Sequence, residues 1–181
     1  QVQKDLNSWN LGRVVWVMDR GMTSQSNQKI LQRAGGQYIL GEKLSGKKRN
    51  EAALSHPGRF KVIADNLHIK EVFAGEDTGR RRYVIAYNPS QAELDRINRK
   101  QVLERLSCEL EVLNKTNKTK AQCKLLLHRS MGRYVKELKS GMLHLDKAKI
   151  KQDEKLDGKY LLSTSDQHMS AENIALVSCH S

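Results

Sequence analysis

The residue of this sequence best placed to do chemistry is Asp19, which directly follows the apolar run Val14 to Met18. A short run this rich in valine is typical of a strand buried on both faces of a parallel or mixed sheet. Such a strand would deliver Asp19 to the carboxyl end of the sheet, where open α/β sheets keep their sites. A lone Asp after a strand also often caps a turn, here the turn at Arg20-Gly21. The spacing alone leaves both interpretations open.

No other residues form a recognisable metal or thiol site. The three cysteines, Cys108, Cys123 and Cys179, are too few and too scattered for a disulfide framework or a zinc site, so we expect a reducing cytosol. The six histidines show no ligand spacing, and we interpret them as surface or packing residues. They are His56, His68, His128, His144, His168 and His180.

The elements that must position Asp19 are a strand, a helix and a second strand. The first strand covers residues 13 to 19. A helix follows, capped by Thr23 or Ser24 and ended by Gly35-Gly36. The second strand lies in QYILGEKL, residues 37 to 44. With such short connections, the three elements predict a compact α/β unit.

The chain then changes character. Residues 45 to 58 are basic and broken by glycine and proline, which predicts a loop or short helix leaving the core. Two strand-like runs, residues 60 to 73 and 80 to 87, predict an antiparallel pair. Ser90 and Glu93 have the spacing of a capping box at the start of a long helix.

Leucines at helical spacing predict two amphipathic helices that fold back as a hairpin. The second helix is predicted from about Lys120 to Leu138. Beyond it, the segment KYLLSTSD predicts another core strand, and Ser170 begins a final helix. The apolar residues of the first helix are Leu94, Ile97, Leu103, Leu106, Leu110 and Leu113, and those of the second are Leu127, Met131, Tyr134 and Leu138.

The charge of the chain favours a polyanionic partner. Among 181 residues, 32 Lys and Arg stand against 20 Asp and Glu, a net charge of +12, and nucleic acid is the usual partner of such an excess. We expect no membrane partner, because the longest apolar runs are too short to span a bilayer, and no signal peptide is visible. The clusters Lys47 to Arg49 and Arg80 to Arg82 fit solvated loops or a DNA track equally well.

Several segments, in order along the chain, resemble DDE transposases of bacterial insertion sequences. VMDRGM, the GG turn and YILGEKL look like the region around the second catalytic aspartate. NPSQAELDRINRKQVLERL resembles the helical part of an insertion that one group of these enzymes carries before the last catalytic glutamate. DGKYLLSTSD and SAENIAL resemble the return to the catalytic core.

The resemblance implies an RNase H-like fold of the α/β class, with a mixed sheet flanked by helices. Residues 1 to 44 would be a partial core around Asp19, residues 45 to 155 an inserted α+β region with a β-hairpin and a helical hairpin, and residues 156 to 181 the return to the core. It also implies metal-dependent DNA cleavage and strand transfer with Mg²⁺. Asp19 matches the second of three carboxylates that hold two metal ions.

The other two carboxylates have no match in this sequence. Asp5 has no apolar strand leading into it, and the chain departs from the family pattern after Leu176. Glu172 matches a helix-start position and is interpreted as a first-turn acid, while Asp166 is interpreted as a turn residue. We therefore expect a central fragment of a transposase that is inactive alone.

The resemblance also implies partners and a location. The partners would be the DNA of insertion-sequence ends and targets, together with a second copy of the chain or a full-length transposase. The location would be the bacterial cytoplasm, near the nucleoid. The alternative is a non-catalytic basic remnant that binds DNA or modulates a full-length transposase. A complete small nuclease is disfavoured, because a two-metal site needs several carboxylates.

Overall fold

A computed structural model describes residues 15–18, 37–75, 80–116 and 119–179. Within these residues the chain is a mixed α/β protein with five helices and eight strands. The strands are β1 Val15–Met18, β2 Gln37–Glu42, β3 Lys61–Ala64, β4 Leu67–Ala74, β5 Arg81–Tyr87, β6 Val135–Glu137, β7 Leu143–Leu145 and β8 Lys159–Thr164. The helices are α1 Lys48–Ser55, α2 Pro89–Thr116, α3 Thr119–Leu126, α4 Lys147–Glu154 and α5 Ala171–Cys179.

The chain divides into two compact units. The first comprises Gln1–Asn88 with Lys159–Ser181, and the second comprises Pro89–Gly158. Residues 45 to 88, which the sequence assigns to an insertion, thus belong to the unit that contains β2 and β8. The insertion predicted from 45 to 155 stays a prediction, because a division into compact units does not identify an inserted segment.

The first unit is built on a six-stranded sheet in the order β1-β2-β8-β5-β4-β3. β1 and β2 are parallel, with Val15 opposite Gln37 and Met18 opposite Leu40. All other neighbours are antiparallel. The predicted mixed sheet is therefore confirmed, and β8 lies in its interior between β2 and β5, as expected of the KYLL segment.

Each face of the sheet is covered by one helix of the described chain. On one face, Ile174 and Ala175 of α5 pack against Ile39, Val84 and Leu162. Because successive strand residues point to opposite faces, their neighbours Tyr83, Ile85 and Leu161 face the other side, where Ala53 of α1 packs. The segment from 45 to 58 thus contains a short helix, but that helix lies on the core and does not leave it.

The strand-like run from 60 to 73 is two strands, not one. A turn at Asp65-Asn66 separates β3 from β4, and the two pair as a hairpin. Asp and Asn favour turns, and this signal lies within an otherwise apolar run. The antiparallel pairing of β4 with β5 is confirmed over seven residue pairs.

β1 is less buried than the sequence predicts. None of its four residues is buried, and Val17 is 37% exposed, whereas Ile39 and Leu40 of β2 are fully buried. Within the described sheet β1 is the terminal strand and pairs only with β2. A strand in that position has less of its surface covered than an interior one.

The second unit is organised around the last two-thirds of α2. Leu106, Leu110 and Leu113 are buried together with Leu125 of α3, as the leucine spacing predicts. Leu94 and Ile97 are exposed, so the predicted inner face does not include the first turns. The helix begins at Pro89, which suits a first helical position, so Ser90 lies inside the helix and is not its cap.

The predicted helix from 120 to 138 is wrong beyond Leu126. α3 ends there, a 3₁₀ turn covers Gly132–Tyr134, and β6 begins at Val135. Leu127 is 86% exposed although the helical pattern places it inside. A Cβ on Gly132 would lie only 2.2 Å from the carbonyl oxygen of Leu126, so the chain turns by a close backbone approach that glycine allows.

The remainder of the second unit is a two-stranded ribbon and a helix. β6 and β7 pair antiparallel and have no third strand within the described residues. Asp146 caps α4 by accepting a hydrogen bond from the Lys149 backbone N–H at 3.0 Å. None of the helices in the described ranges is long and apolar enough to cross a membrane.

Candidate functional site

Asp19, predicted from the sequence as catalytic residue and metal ligand, lies outside the described residues, as do Asp5 and the helix predicted before Gly35. The described chain ends its first strand at Met18, the residue covalently joined to Asp19. β1 and β2 run parallel, so their carboxyl ends lie at the same edge of the sheet. The site can therefore be described from β2 and its neighbours at this edge.

A buried carboxylate, Glu42, lies at the carboxyl end of β2 and is 2% exposed. Lys47 Nζ donates to its Oε2 at 3.0 Å, and Asn50 Nδ2 donates to the same oxygen at 3.3 Å. The hydroxyl of Ser163 on β8 donates to Oε1 at 3.1 Å. Three donors, two at the start of α1 and one on β8, thus satisfy both oxygens, as a buried carboxylate requires.

The sequence holds these groups together for local reasons. Lys47 precedes α1 and Asn50 lies in its first turn, so the start of the helix presents both side chains to the end of β2. Asn50 also donates to the Lys43 carbonyl at 2.8 Å, which closes the connection between strand and helix. Glu42 therefore ties the position of α1 to the sheet, which is a structural role.

Tyr83 of β5 lies in the same polar region of this face. Burial raises the pKa of the Tyr83 phenol above its usual range, and the nearby negative charge of Glu42 raises it further. Arg49 and Arg81 oppose that rise, and Arg49 also hydrogen-bonds to Tyr83. The phenol is thus a neutral hydrogen-bonding group at physiological pH and is not poised as a base.

A second buried polar cluster lies on the opposite face around Arg82, which is 6% exposed. Its Nε donates to Glu71 Oε1 at 2.6 Å, and its Nη1 donates to the carbonyl oxygens of Asp166 and Met169 at 2.8 and 2.7 Å. Arg82 thereby fixes the segment that leads from β8 into α5. Its buried guanidinium is unavailable to a DNA backbone.

Asp166 and Glu172 have the roles that the sequence predicts for them. Asp166 is fully buried, and its Oδ1 accepts the backbone N–H groups of His168 and Met169 at 2.8 and 2.9 Å, as a turn residue does. Glu172 lies in the first turn of α5 and forms an ion pair with Lys61. Among the residues that the structure describes, neither carboxylate belongs to a group that could hold a metal ion.

The described residues contain no group of three or more His, Cys, Asp or Glu side chains that could hold a metal ion. Cys108 and Cys123 are free and exposed. The side chains that the described chain supplies therefore do not fit a two-ion magnesium centre by themselves.

The residues of the two basic clusters, Lys47 to Arg49 and Arg80 to Arg82, differ in their partners and in their exposure. Lys47 and Arg82 are engaged with Glu42 and Glu71. Arg80 lies over the ring of Phe73, with its guanidinium carbon 5.2 Å from the ring centroid. Lys48 and Arg49 are exposed. A continuous DNA track through both clusters is thus not supported, because Arg82 is buried.

One pocket in the first unit is mainly apolar. This pocket of about 520 Å³ lies between α5 and the sheet and is lined chiefly by alanine, leucine and tyrosine. Its polar side chains are Asn66, Tyr87, Asn88, Tyr160 and Ser178, none of which is a carboxylate, histidine or lysine. The pocket therefore lacks the groups that acid–base or metal chemistry needs.

Sequence reasoning missed Glu42 and Arg82, because charged residues are mostly exposed. One signal was present for Glu42: Tyr38, Leu40 and Glu42 alternate along β2 and share a face. Searches with family models, against curated proteins and against solved structures found no match to this chain.

Proposed function

We propose that this chain is the central part of a DDE transposase catalytic domain and serves DNA transposition. The observation that carries the proposal is the parallel pair β1 and β2, whose first strand ends at the residue before Asp19, within a mixed sheet that β8 completes. The ordered resemblance of the segments around β1, α2 and β8 to such transposases supports it.

In this proposal Asp19 supplies one of three carboxylates that hold two Mg²⁺ ions in the complete enzyme. When bound, such ions would supply Lewis-acid stabilisation for phosphodiester chemistry. A single carboxylate does not hold two hard cations, because each needs several oxygen ligands. The chain by itself is therefore expected to bind DNA without cutting it.

The first experiment is a nicking assay. The purified chain is incubated with supercoiled plasmid and Mg²⁺, and relaxed and linear products are separated on a gel. The proposal predicts no product above the level of an Asp19→Ala variant. Nicking by the unmodified chain that Asp19→Ala abolishes would show a complete nuclease instead.

A second candidate function is a basic remnant that binds DNA or a full-length transposase without catalysis. The observation that favours it is the net charge of +12, together with the exposed lysines of the second unit. Phosphate contacts release counterions, so the affinity for duplex DNA should fall steeply with salt. Absence of DNA binding at low salt would eliminate this candidate.

A further inference from the structure

The positive charge of the second unit is concentrated in one part of its sequence. Residues 89 to 114 carry four Lys or Arg against five Asp or Glu, and residues 145 to 158 carry four against four. Residues 115 to 144 carry eight Lys or Arg against the single acid Glu137. The net charge of this unit therefore comes from the segment that contains α3, the 3₁₀ turn and the β6–β7 ribbon.

The ribbon has one inner and one outer face. Val135, Leu143 and Leu145 pack into the core of the unit with the leucines of α2. Lys136 and His144 are directly opposite each other across the ribbon and are exposed, because alternate residues of a strand point to opposite sides. The outer face thus presents a lysine and a histidine side by side.

The turn of the ribbon adds charge and apolar surface. The Leu138 N–H donates to the Met142 carbonyl at 2.9 Å, and the Gly141 N–H donates to the Leu138 carbonyl at 2.9 Å, so Lys139 and Ser140 lie at the tip. Gly141 has a φ of 77°, a conformation that suits glycine. Leu138 and Met142 are 41% and 46% exposed on either side of the tip.

The cations of this surface are not neutralised by acids of the described chain. Lys120, Lys124, Arg129, Lys136 and Lys139 are exposed, and none forms an ion pair with another described residue. In contrast, Lys149 and Arg133 both bind Asp153. An anion from outside the chain would therefore meet cations that are already exposed and need no rearrangement.

We infer that the β6–β7 ribbon is a contact surface for duplex DNA. A two-stranded ribbon fits the major groove, and lysines on its outer face and tip reach phosphates on either side. Leu138 and Met142 can pack against sugars or base edges at the tip, as apolar side chains do in other DNA complexes. This inference depends on the proposed function in one respect only, which is that the polyanion bound is DNA.

An anionic membrane is the less suitable partner. Membrane-surface binding uses a long amphipathic helix with a continuous apolar face, whereas the basic segment contains an eight-residue helix and a ribbon. The exposed apolar residues Leu127, Leu138 and Met142 are separate side chains and not such a face.

The experiment is a salt titration of the full chain with a fluorescent double-stranded DNA. The double variant Lys136→Gln/Lys139→Gln is compared with Lys147→Gln/Lys151→Gln, a matched control on α4 that removes the same charge from exposed positions of the same unit. We expect the ribbon variant to lower the slope of log K against log salt by up to about 1.8, and the control to leave it nearly unchanged. Circular dichroism of each variant checks that the fold is retained.

A Leu138→Ser/Met142→Ser variant separates apolar contact from charge. It should weaken binding by about fivefold or more at every salt concentration, because apolar contact area is lost, without changing the slope. Equal losses in the ribbon and control variants, with the unmodified chain binding DNA, would overturn the ribbon surface alone. No DNA binding by the unmodified chain would overturn the DNA-binding part of the proposed function as well. Binding to phosphatidylserine vesicles in place of DNA would assign the surface to a membrane.

Discussion

Arg99 and Asp157 face each other through two parallel hydrogen bonds, 2.5 Å from Nη1 to Oδ1 and 2.6 Å from Nη2 to Oδ2. Their side chains are 9% and 16% exposed. The hydrogen bond to Asp157 is also the main cause that raises the pKa of Arg99 above its usual range. Asp95, on the same helix as Arg99, accepts the Gly158 N–H at 2.9 Å. The end of the second unit is thus fixed to α2 by a largely buried ion pair.

Breaking this pair should destabilise the second unit strongly. Asp157→Asn leaves a buried guanidinium without its counter-charge, so we expect a loss of about 3 kcal/mol in the free energy of unfolding. Urea denaturation followed by circular dichroism measures it. The control is Glu93→Gln, which breaks the exposed pair with Arg96 on the same helix and should change the midpoint far less. Equal losses of stability in Asp157→Asn and Glu93→Gln would show that the Arg99–Asp157 pair stabilises the unit no more than an exposed ion pair does.

Glu42→Gln tests the buried cluster at the carboxyl end of β2. The substitution removes the negative charge that the Lys47 ammonium faces, and the charge-assisted hydrogen bonds from Lys47 and Asn50 become weaker bonds to a neutral amide. We expect a loss of about 2 kcal/mol. Glu51→Gln is the matched control, because Glu51 is exposed and its Oε1 accepts the Gly46 N–H at 3.2 Å. Thermal unfolding of the two variants should differ clearly.

The elevated pKa of the Tyr83 phenol predicts an alkaline limit to stability. Burial, and then the charge of Glu42, raise this pKa in the folded chain above the ordinary value of 10.0. The folded state therefore binds the phenolic proton more tightly, and this contribution is present below pH 10 and lost as pH rises through the folded-state pKa.

Tyr83→Phe should accordingly flatten the loss of stability above pH 10, measured as urea midpoints across the alkaline range. Tyr134 is a useful comparison, because burial raises the pKa of its phenol as well. Tyr134→Phe should remove its own share of the alkaline slope. A slope unchanged by either substitution would mean that other groups govern the alkaline transition.

The sequence predicted the sheet better than the second unit. Short apolar runs located β1, β2, β5 and β8, because strands with buried faces leave a local apolar signature. The burial of Glu42 and Arg82 depends on Ser163 and on the carbonyls of Asp166 and Met169, which are far away in sequence. No local pattern contains such partners, so both side chains were expected at the surface.

The helix predicted from 127 to 138 was wrong for a different reason. Leu127, Met131, Tyr134 and Leu138 have helical spacing, but the close approach of Gly132 to the Leu126 carbonyl turns the chain before the second turn of that pattern. The spacing of apolar residues does not predict the backbone contact between positions 126 and 132. For the candidate site, the prediction of Asp19 rested on the family resemblance and on the apolar strand that precedes it. Of the elements around Asp19, the sequence predicted the neighbouring strand β2 but not the side chains that surround the site.

Gly132→Ala tests the turn directly. The added methyl group would meet the Leu126 carbonyl oxygen at 2.2 Å and must displace backbone, so we expect a loss of about 2 kcal/mol or more. Gly46→Ala is the control for backbone strain alone, because Gly46 has a φ of +88° but nothing within 4 Å of the new methyl group. Differential scanning calorimetry compares the two. A smaller loss for Gly132→Ala would contradict the close approach.

The nucleotide sequence on both sides of the coding segment tests the transposase origin most directly. We predict that the upstream DNA encodes an apolar strand ending in Asp, and that the downstream DNA encodes a continuation of α5 bearing Glu, in the same or a shifted reading frame. Together with Asp19 these residues would complete the three carboxylates. Flanking DNA that encodes neither element in any frame would contradict the proposed function.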